Sequence, residues 1–386
     1  MSEQHVQGEQ RVTSLELFFD LVFVFAFTQV TTVFSDDPTW AGVAHGLLIL
    51  STLWWGWAAY AWLTNTLNPD KGAVWGALVV AMAGLFVAAL AVPEAFGSEG
   101  VVFGVAFLIV NVMHLTLYSL GARGDRDLLA AILRTAPWAL SGTALIIAAG
   151  FVDGDFKSVL WLAALVVGFF GPLVNGMVGW RVQPAHFAER HGLIVIIAIG
   201  ESLVAIGIGA RGVGLGIGVI VAAVLGLLVA TAFWLAYFDF FTIRGEQLLT
   251  DTSGEERVAL ARDIYTYLHL PMVAGIVLFA FAMKPTLAHV SAELDTVPAF
   301  ALCVGPAFYL SAYVALRLRI SRTLGRGRVL AAIACALLWP VAIVVPALVA
   351  LALLTAVWVA LHAYELIWWR EARAETRAMR VPASAS

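Results

Sequence analysis

Two carboxylates stand inside the first long apolar stretch of the chain, Ser14-Leu-Glu-Leu-Phe-Phe-Asp-Leu-Val-Phe-Val-Phe-Ala-Phe-Thr-Gln29. Glu16 and Asp20 are four residues apart, so a helix would present both on one face, which Phe23 and Phe27 continue. Carboxylates within an apolar helix are typical of ion paths and proton relays. We therefore predict Glu16 and Asp20 as ligands on a substrate or ion path that Phe23 and Phe27 border. Structural roles stay open for both, a helix N-terminal carboxylate for Glu16 and a polar pair for Asp20.

A third carboxylate lies in a second apolar stretch, His191-Gly-Leu-Ile-Val-Ile-Ile-Ala-Ile-Gly-Glu-Ser202. Glu201 is close to the middle of a predicted membrane span over residues 191–210. A charged side chain at the centre of a membrane helix carries a penalty of about 2.5–3.5 kcal/mol, so such residues are usually functional. We predict that Glu201 is a titrating carboxylate on the substrate or ion path, with Ser202 beside it.

Three further ionisable residues inside predicted spans are candidates for the same path: His114, Arg134 and His269. Their depths along those spans predict two polar layers, one of Asp20 with His114 and Arg134, the other of Glu201 with His269. An arginine keeps a neighbouring carboxylate charged, whereas a histidine can exchange a proton with it near neutral pH. We therefore expect Asp20 to lie within hydrogen-bonding or water-bridged reach of a polar residue on another span, with His114 or Arg134 as the candidates.

The elements that must position these residues follow from the composition. Of 386 residues, 61% are hydrophobic and only 12% are charged, whereas a soluble protein has about 25% charged residues. So little charge cannot cover soluble domains, which excludes a soluble enzyme, a disordered chain and a coiled coil. The net charge of −4 provides no basic field for nucleic acid. Since apolar runs of about 20 residues recur along the chain, we predict an all-α, polytopic integral membrane protein.

Polar and Pro/Gly-rich breaks divide the chain into about 12 predicted transmembrane helices. They run over residues 14–34, 41–63, 73–92, 101–120, 129–151, 158–179, 191–210, 213–238, 259–283, 297–317, 329–346 and 347–369. The last two are separated by a tight turn predicted near Pro346, because a single helix over 329–369 would be about twice as long as a bilayer core is thick.

The spans predict two six-helix halves, residues 14–182 and 183–369. A cytoplasmic N-terminus, residues 1–13, precedes them, and a basic cytoplasmic tail, residues 370–386, follows. With both termini inside, most of the 22 basic residues fall in cytoplasmic segments, as the positive-inside rule requires. This assignment treats Arg190 as a cytoplasmic loop residue and Lys284 as an outside loop residue.

The remaining motifs indicate no cofactor and no metal. His186-Phe-Ala-Glu-Arg-His191 resembles a zinc motif, but its histidines are five residues apart and do not share a helix face. The phosphate-binding pattern Gly-x4-Gly-Lys-Ser/Thr is not found in the sequence, which excludes an ATP-driven transporter unless a partner protein supplies the ATPase. The common hydrolase motifs are not found either, and we expect that the protein is not an enzyme, with a membrane enzyme kept as an alternative. Cys303 and Cys335 lie in apolar runs and are expected to be buried free thiols.

Three stretches resemble the bacterial low-temperature-requirement A family. They are Leu15-Glu-Leu-Phe-Phe-Asp-Leu-Val-Phe-Val-Phe-Ala26 with Gln29, Glu189-Arg-His-Gly-Leu-Ile-Val-Ile-Ile-Ala-Ile-Gly-Glu-Ser202 and Tyr265-Thr-Tyr-Leu-His-Leu-Pro-Met-Val-Ala-Gly-Ile276. The first two are specific, and together the three span most of the chain. The resemblance implies a multi-pass membrane protein. It implies no particular molecular activity, because the family name records a growth phenotype.

A second resemblance concerns the first stretch alone. Glu16-Leu-Phe-Phe-Asp20 before an apolar helix is similar to the Arg-x-x-x-Phe-Ser-Asp first helix of the endolysosomal and bacterial potassium-channel family, which is also built of six-helix units. This chain has Ser14 in place of the arginine and Phe19 in place of the serine, departures that speak against potassium selectivity. The resemblance implies a cation path and two six-helix units in which spans 1 and 7 are equivalent.

Three functions remain open from the sequence. The first is a secondary, proton-coupled transporter of a small solute or ion, with Glu201 titrating and Asp20 as a ligand. The second is a cation channel along the face of Phe23 and Phe27, and the third is a membrane enzyme or scaffold with structural carboxylates. The expected partners are the lipid bilayer and a small solute or cation, with a homodimer left open and no nucleic acid. The expected location is the bacterial cytoplasmic (inner) membrane.

Overall fold

The chain is helical throughout the part that the structure, a computed structural model, describes, namely residues 11–67, 72–176 and 178–368. Its helices are α1 (Ser14–Asp36), α2 (Trp40–Thr66), α3 (Ala73–Ala91), α4 (Gly100–Gly121), α5 (Arg126–Ala149), α6 (Asp155–Val174), α7 (Pro184–Gly209), α8 (Ile217–Ala236), α9 (Thr242–Asp251), α10 (Gly254–Leu260), α11 (His269–Ala288), α12 (Thr296–Ser321), α13 (Arg326–Leu337), α14 (Trp339–Ala342) and α15 (Ala347–Trp368). A π-helical turn at Tyr237–Phe241 joins α8 to α9, and another at Ala261–Tyr267 lies between α10 and α11.

These helices confirm the predicted all-α, polytopic membrane fold. Eleven helical stretches among the described residues are long and apolar enough to cross a bilayer. The same residues contain no strand beyond an isolated β-bridge between Glu293 and Pro346. Each of the first ten predicted spans coincides with one of the eleven stretches, although the eighth and ninth are extended to Ile217–Asp251 and Gly254–Ala288.

The last two predicted spans have different outcomes. The span predicted at 347–369 corresponds to α15. The span predicted at 329–346 is instead a helix of 12 residues, α13, followed by the four-residue α14. Pro340 lies at the start of α14, and its missing N–H and its ring prevent α13 from continuing as one regular helix. The turn predicted near Pro346 is present, because residues 343–346 separate α14 from α15.

Local sequence explains where the two helices with the central carboxylates begin. Thr13 Oγ1 accepts from Glu16 N at 3.3 Å, and Glu16 Oε2 accepts from Thr13 N at 2.9 Å, which is a capping box. Helix α7 begins at Pro184, and proline is favoured at a first helical position. The predicted start of this span at residue 191 is therefore too late. The earlier start brings His186 and Arg190 into the helix.

By packing, the chain divides into two compact units. Unit 1 comprises the chain up to Ala26, Ser51–Ile194 and Gly245–Arg262. Unit 2 comprises Phe27–Leu50, Val195–Arg244 and the chain from Asp263 onward. Helices α1, α2, α7 and α9 therefore contribute residues to both units. The division into two six-helix halves, residues 14–182 and 183–369, stays a prediction.

In unit 1, helices α3 to α6 pack in chain order, each against the next. Buried polar links reinforce this packing: Asn111 Nδ2 donates to Thr143 Oγ1 at 2.8 Å, and Lys157 Nζ donates to Phe96 O at 2.8 Å. Helix α2 contributes large buried aromatic side chains, among them Trp57. Such a helix is a rigid support for polar groups on its neighbours.

In unit 2, α11 forms the core. Every residue from Met272 to Met283 is buried, as expected for a helix that is apolar on all sides. Its backbone lies against that of α12, since a Cβ added at Gly275 would clash with the carbonyl oxygen of Gly305. Small residues allow this close approach between membrane helices. Helix α11 is therefore firmly held, and it carries Lys284 and His269.

Candidate functional site

A buried cluster of ionisable side chains lies in unit 1 and joins α1 to α7. Glu16 and Asp20 of α1 face His186 and Arg190 of α7, and each of the four is 1% exposed. Arg190 bridges the carboxylates, with Nη1 2.9 Å from Glu16 Oε1 and Nη2 2.6 Å from Asp20 Oδ1. His186 Nε2 lies 3.1 Å from Glu16 Oε1. We call these four residues the α1–α7 cluster.

Helix α2 holds both sides of the α1–α7 cluster in place. Trp57 Nε1 donates to Asp20 Oδ1 at 2.9 Å, and its ring lies 5.9 Å from the Arg190 guanidinium carbon. Thr64 Oγ1 accepts from Arg190 Nη1 at 3.2 Å. Because buried charges need satisfied hydrogen bonds as well as partners, these neutral groups are part of what makes the ion pairs tolerable.

The orientation of Asn65 determines the tautomer of His186. Asn65 Oδ1 accepts from Gln183 N at 2.7 Å, and Asn65 Nδ2 donates to Gln183 O at 3.0 Å, which fixes the amide. The same Nδ2 lies 3.1 Å from His186 Nδ1, so this ring nitrogen must accept. His186 is therefore neutral, with its proton on Nε2, and it donates that proton to Glu16.

The layer predicted for Asp20, His114 and Arg134 is not formed. His114 lies between aromatic rings of α2 and α4, with centroid separations of 5.6 and 5.5 Å. Arg134 Nη2 donates to Val178 O at 3.0 Å. The partner of Asp20 on another helix is Arg190 instead. Depth along a span does not reveal the direction in which a side chain points, which is why the two named candidates are wrong.

A second polar site lies in unit 2 around Glu201, which is 1% exposed. Thr28 Oγ1 lies 2.6 Å from Glu201 Oε2, and Thr31 Oγ1 lies 2.7 Å from Glu201 Oε1. Lys284 Nζ lies 3.2 Å from both Thr31 Oγ1 and Ser35 Oγ. A chain of hydrogen bonds thus runs from the carboxylate of α7 through α1 to the ammonium of α11. We call these five residues the Glu201 site.

The other two residues predicted near Glu201, Ser202 and His269, have separate surroundings. Ser202 is fully buried, and within the described ranges its Oγ has no hydrogen-bond partner. His269 does not pair with Glu201, because its Nδ1 lies 2.9 Å from Ile264 O and its Nε2 lies 2.8 Å from the Tyr237 hydroxyl. These partners belong to the two π-helical turns, so His269 connects the turns as a buried structural histidine.

Phe23 and Phe27 are both buried, at 1% and 0% exposure. Phe23 belongs to unit 1, where its ring lies 6.1 Å from that of Phe19. Phe27 belongs to unit 2. Their role as the border of a path stays a prediction.

Neither site is arranged as a metal centre. In residues 11–67, 72–176 and 178–368, no three His, Cys, Asp or Glu side chains are grouped as metal ligands. The oxygens of Glu201 accept from threonine hydroxyls, and most carboxylate oxygens of the α1–α7 cluster accept from nitrogen donors. The carboxyl groups of the two sites can each bind or release a proton, because a carboxyl group is titratable.

The residues that sequence reasoning missed are mainly the basic partners. Arg190 and Lys284 are assigned to loops by the positive-inside count, but both lie within helices and contact the sites. The sequence did contain a signal for Arg190. His186 and Arg190 are four residues apart, as Glu16 and Asp20 are, so two helices carry complementary pairs on single faces.

Comparison with known proteins identifies one matching family and a similar bacterial protein. It matches the family described as bacterial low temperature requirement A protein over residues 11–363, a range that includes both sites. It is 32% identical over 321 residues to an uncharacterized protein of Rhizobium meliloti, covering 80% of this chain and 78% of that protein. No solved structure matches it significantly. Helical fold, apolar spans and family match agree, and the chain belongs to the bacterial low temperature requirement A family of multi-pass membrane proteins.

Proposed function

We propose that this protein is a proton-coupled secondary transporter of a small solute or ion, and not an enzyme. Glu201 is the carboxylate that takes up and releases the coupled proton. The observation that carries the proposal is the set of partners around Glu201, since both of its carboxyl oxygens are contacted by threonine hydroxyls. The family match supports a multi-pass membrane protein, and the transport activity is our inference from this geometry.

Hydroxyl partners suit a group that must exist in two protonation states. A hydroxyl donates to a carboxylate and accepts from a carboxyl O–H, so Glu201 keeps its hydrogen bonds in either state. A guanidinium has only donors, so a carboxyl oxygen that it contacts can accept from it but cannot donate an acid proton to it. Glu16, which lies 2.9 Å from the Arg190 guanidinium, is in that second situation.

The hydrogen count at Thr31 supports the same role. Its single hydroxyl hydrogen faces two acceptors, Glu201 Oε1 at 2.7 Å and Thr28 O at 2.9 Å, while Lys284 Nζ donates to its oxygen. With an ionised Glu201, the two acceptors compete for one hydrogen. A proton on Glu201 Oε1 removes the conflict, because Glu201 then donates to Thr31 and Thr31 donates to Thr28 O. The geometry therefore accommodates a bound proton.

The Glu201 site also leads toward a charged surface residue. Lys284 Nζ contacts Ser35, which precedes the exposed Asp36 in the chain. Lys284 interacts electrostatically with both Glu201 and Asp36. A proton released from Glu201 thus has polar neighbours in Thr31 and Lys284, whereas the stretch of α11 from Met272 to Met283 is apolar.

Replacing Glu201 by glutamine is expected to leave the protein folded but to reduce proton-coupled flux by ~100-fold or more, the scale on which positioned acid–base groups act. Glutamine keeps the shape and hydrogen-bonding capacity of the side chain and cannot titrate. The measurement uses purified protein in liposomes that contain a pH-sensitive dye, with inorganic ions and small solutes added outside one at a time. The matched control is Glu293→Gln, which changes an exposed carboxylate of the same unit and should behave as wild type.

Each other outcome of this experiment assigns a different role. Unchanged pH-dependent flux in the Glu201→Gln protein would remove Glu201 from the coupling mechanism. An ohmic current that is independent of the proton gradient would support a cation channel. If no solute moves, and Glu201→Ala lowers only the thermal stability, the carboxylate is structural.

We further propose that the protein lies in the bacterial cytoplasmic membrane with both termini in the cytoplasm. This topology requires α13 and α14 together to cross the membrane once, in addition to the eleven stretches that are long enough to do so alone. Cysteines introduced at the exposed residues Asp153, between α5 and α6, and Leu324, between α12 and α13, are expected to react with an impermeant maleimide from opposite sides. Asp153 should react from outside and Leu324 from inside. The native Cys303 and Cys335 are buried and should contribute little background. Labelling of both introduced sites from one side would contradict this topology.

A further inference from the structure

The α1–α7 cluster contains one more negative charge than positive. Glu16 and Asp20 supply two carboxylates, whereas Arg190 supplies one guanidinium, which cannot lose its proton in a protein. His186 is neutral in this geometry because its Nδ1 accepts from Asn65 Nδ2. Since each member of the cluster is 1% exposed, water cannot screen the excess charge, and a buried uncompensated charge is strongly unfavourable.

The unbalanced charge belongs to Asp20. Both oxygens of Glu16 accept hydrogen bonds, from Thr13 and from the two α7 side chains, as an ionised carboxylate requires. Asp20 Oδ1 likewise accepts from Arg190 and from the indole of α2. Asp20 Oδ2 is different: it is buried, and no hydrogen-bond partner for it exists in the described part of the chain.

We propose that Asp20 Oδ2 binds one proton, which brings the α1–α7 cluster to neutrality and makes it a second proton-binding site, separate from Glu201. In this state Asp20 is a carboxylic acid whose Oδ1 still accepts from Arg190. The proton forms an O–H bond on Oδ2 and comes from water. Its release returns the cluster to a net charge of −1.

The oxygens available at Asp20 favour a proton over a metal ion. A calcium ion takes about six to eight oxygen ligands, whereas the cluster offers one unpartnered carboxylate oxygen among the described residues. A divalent ion would also reverse the charge imbalance instead of removing it. A proton needs a single oxygen and supplies a single charge.

The groups that surround Asp20 come from α1, α2 and α7, and two of them are charged. The charged groups that act on it are Arg190 of α7 and Glu16 of α1. Helix α2 contributes Trp57, a neutral donor, and His186 of α7 contacts Glu16 rather than Asp20. The protonation of Asp20 is therefore linked to the charge of Glu16, which can be changed independently.

Infrared spectroscopy of the purified protein tests the proposal, because protonated and ionised carboxyl groups absorb in separate bands. The measurement is made at neutral pH in the Glu201→Gln protein, so that Glu201 contributes no signal. This protein should show the band of one protonated carboxyl per chain. Adding Asp20→Asn should remove that band. Adding Glu16→Gln should also remove it, because Arg190 then balances an ionised Asp20. The control substitution Glu293→Gln should leave it unchanged.

A band that persists in the Asp20→Asn protein, or one that persists in the Glu16→Gln protein, would overturn the proposal. A second measurement compares thermal unfolding in sodium, potassium and choline chloride. Stabilisation by sodium or potassium that Asp20→Asn abolishes would assign the site to a metal cation and would also overturn the proposal. Neither measurement involves transport, so their outcome does not depend on the proposed role of Glu201.

Discussion

An Arg190→Met protein is expected to lose about 3–5 kcal/mol of unfolding free energy, because removing one partner of a buried ion pair leaves the other charge uncompensated. Arg190 contacts both Glu16 and Asp20 at 1% exposure, so its loss leaves Glu16 without its cation and removes a hydrogen-bond donor from Asp20. The free energy can be measured by denaturant titration of the purified protein in mixed micelles. A loss below about 1 kcal/mol, the range of an exposed pair, would contradict the buried cluster.

The triple variant Arg190→Met, Glu16→Gln, Asp20→Asn tests whether the instability of the Arg190→Met protein comes from the charge that Arg190 leaves uncompensated. It removes all three ionisable side chains, while the glutamine side chain introduced by Glu16→Gln can still complete the capping box with Thr13. Since neutral replacements of buried ion pairs are often close to neutral in stability, most of the lost free energy should return. The matched control is Arg319→Met. That residue pairs with Asp263 at 3.0 Å on a surface where the two side chains are 41% and 25% exposed, so its loss should be small.

The second large effect is expected for Glu365→Ala, again about 3–5 kcal/mol of unfolding free energy. Arg328 Nε lies 2.6 Å from Glu365 Oε1, and the two side chains are 7% and 12% exposed. The guanidinium also lies 3.6 Å from the ring centroid of Tyr313. Without Glu365, Arg328 would remain buried between α12, α13 and α15 with only a cation–π contact, which is worth about 2 kcal/mol at a desolvated site.

Replacing both partners, in an Arg328→Met, Glu365→Met protein, should recover most of that stability, because no unpaired charge remains. The same denaturant titration compares the single and double variants. Equal instability of the two would mean that Glu365 acts through packing, in which case the ion pair between α13 and α15 is not the cause of the effect.

The Arg328–Glu365 pair also shows what the positive-inside count of basic residues does not detect, namely basic side chains that are buried within helices. The positive-inside rule concerns the side of the membrane on which a basic residue lies, and it treats such residues as exposed. Arg190, Lys284 and Arg328 instead lie within helices. Each is stabilised there by a carboxylate or hydroxyl group on another helix. A hydropathy average covers only residues that are close in the sequence, so it cannot detect such a partner.

The sequence by itself determined the class of protein, the approximate positions of ten spans, and the carboxylates of interest. These are local properties: a bilayer requires about 20 apolar residues per helix and makes ionisable groups inside such runs stand out. Even the capping box of Thr13 and Glu16 could be identified from spacing alone.

Only the tertiary structure decided which partners the carboxylates have. Asp20 meets Arg190 because α7 begins at Pro184, and Glu201 meets Thr28 and Thr31 because of how α1 and α7 are rotated within unit 2. Depth along a span is readable from residue numbers, whereas rotation about the helix axis depends on the packing of every neighbouring side chain. For that reason the carboxylates could be identified from the sequence, whereas the hydroxyl groups and the basic side chains that contact them are known only from the tertiary structure.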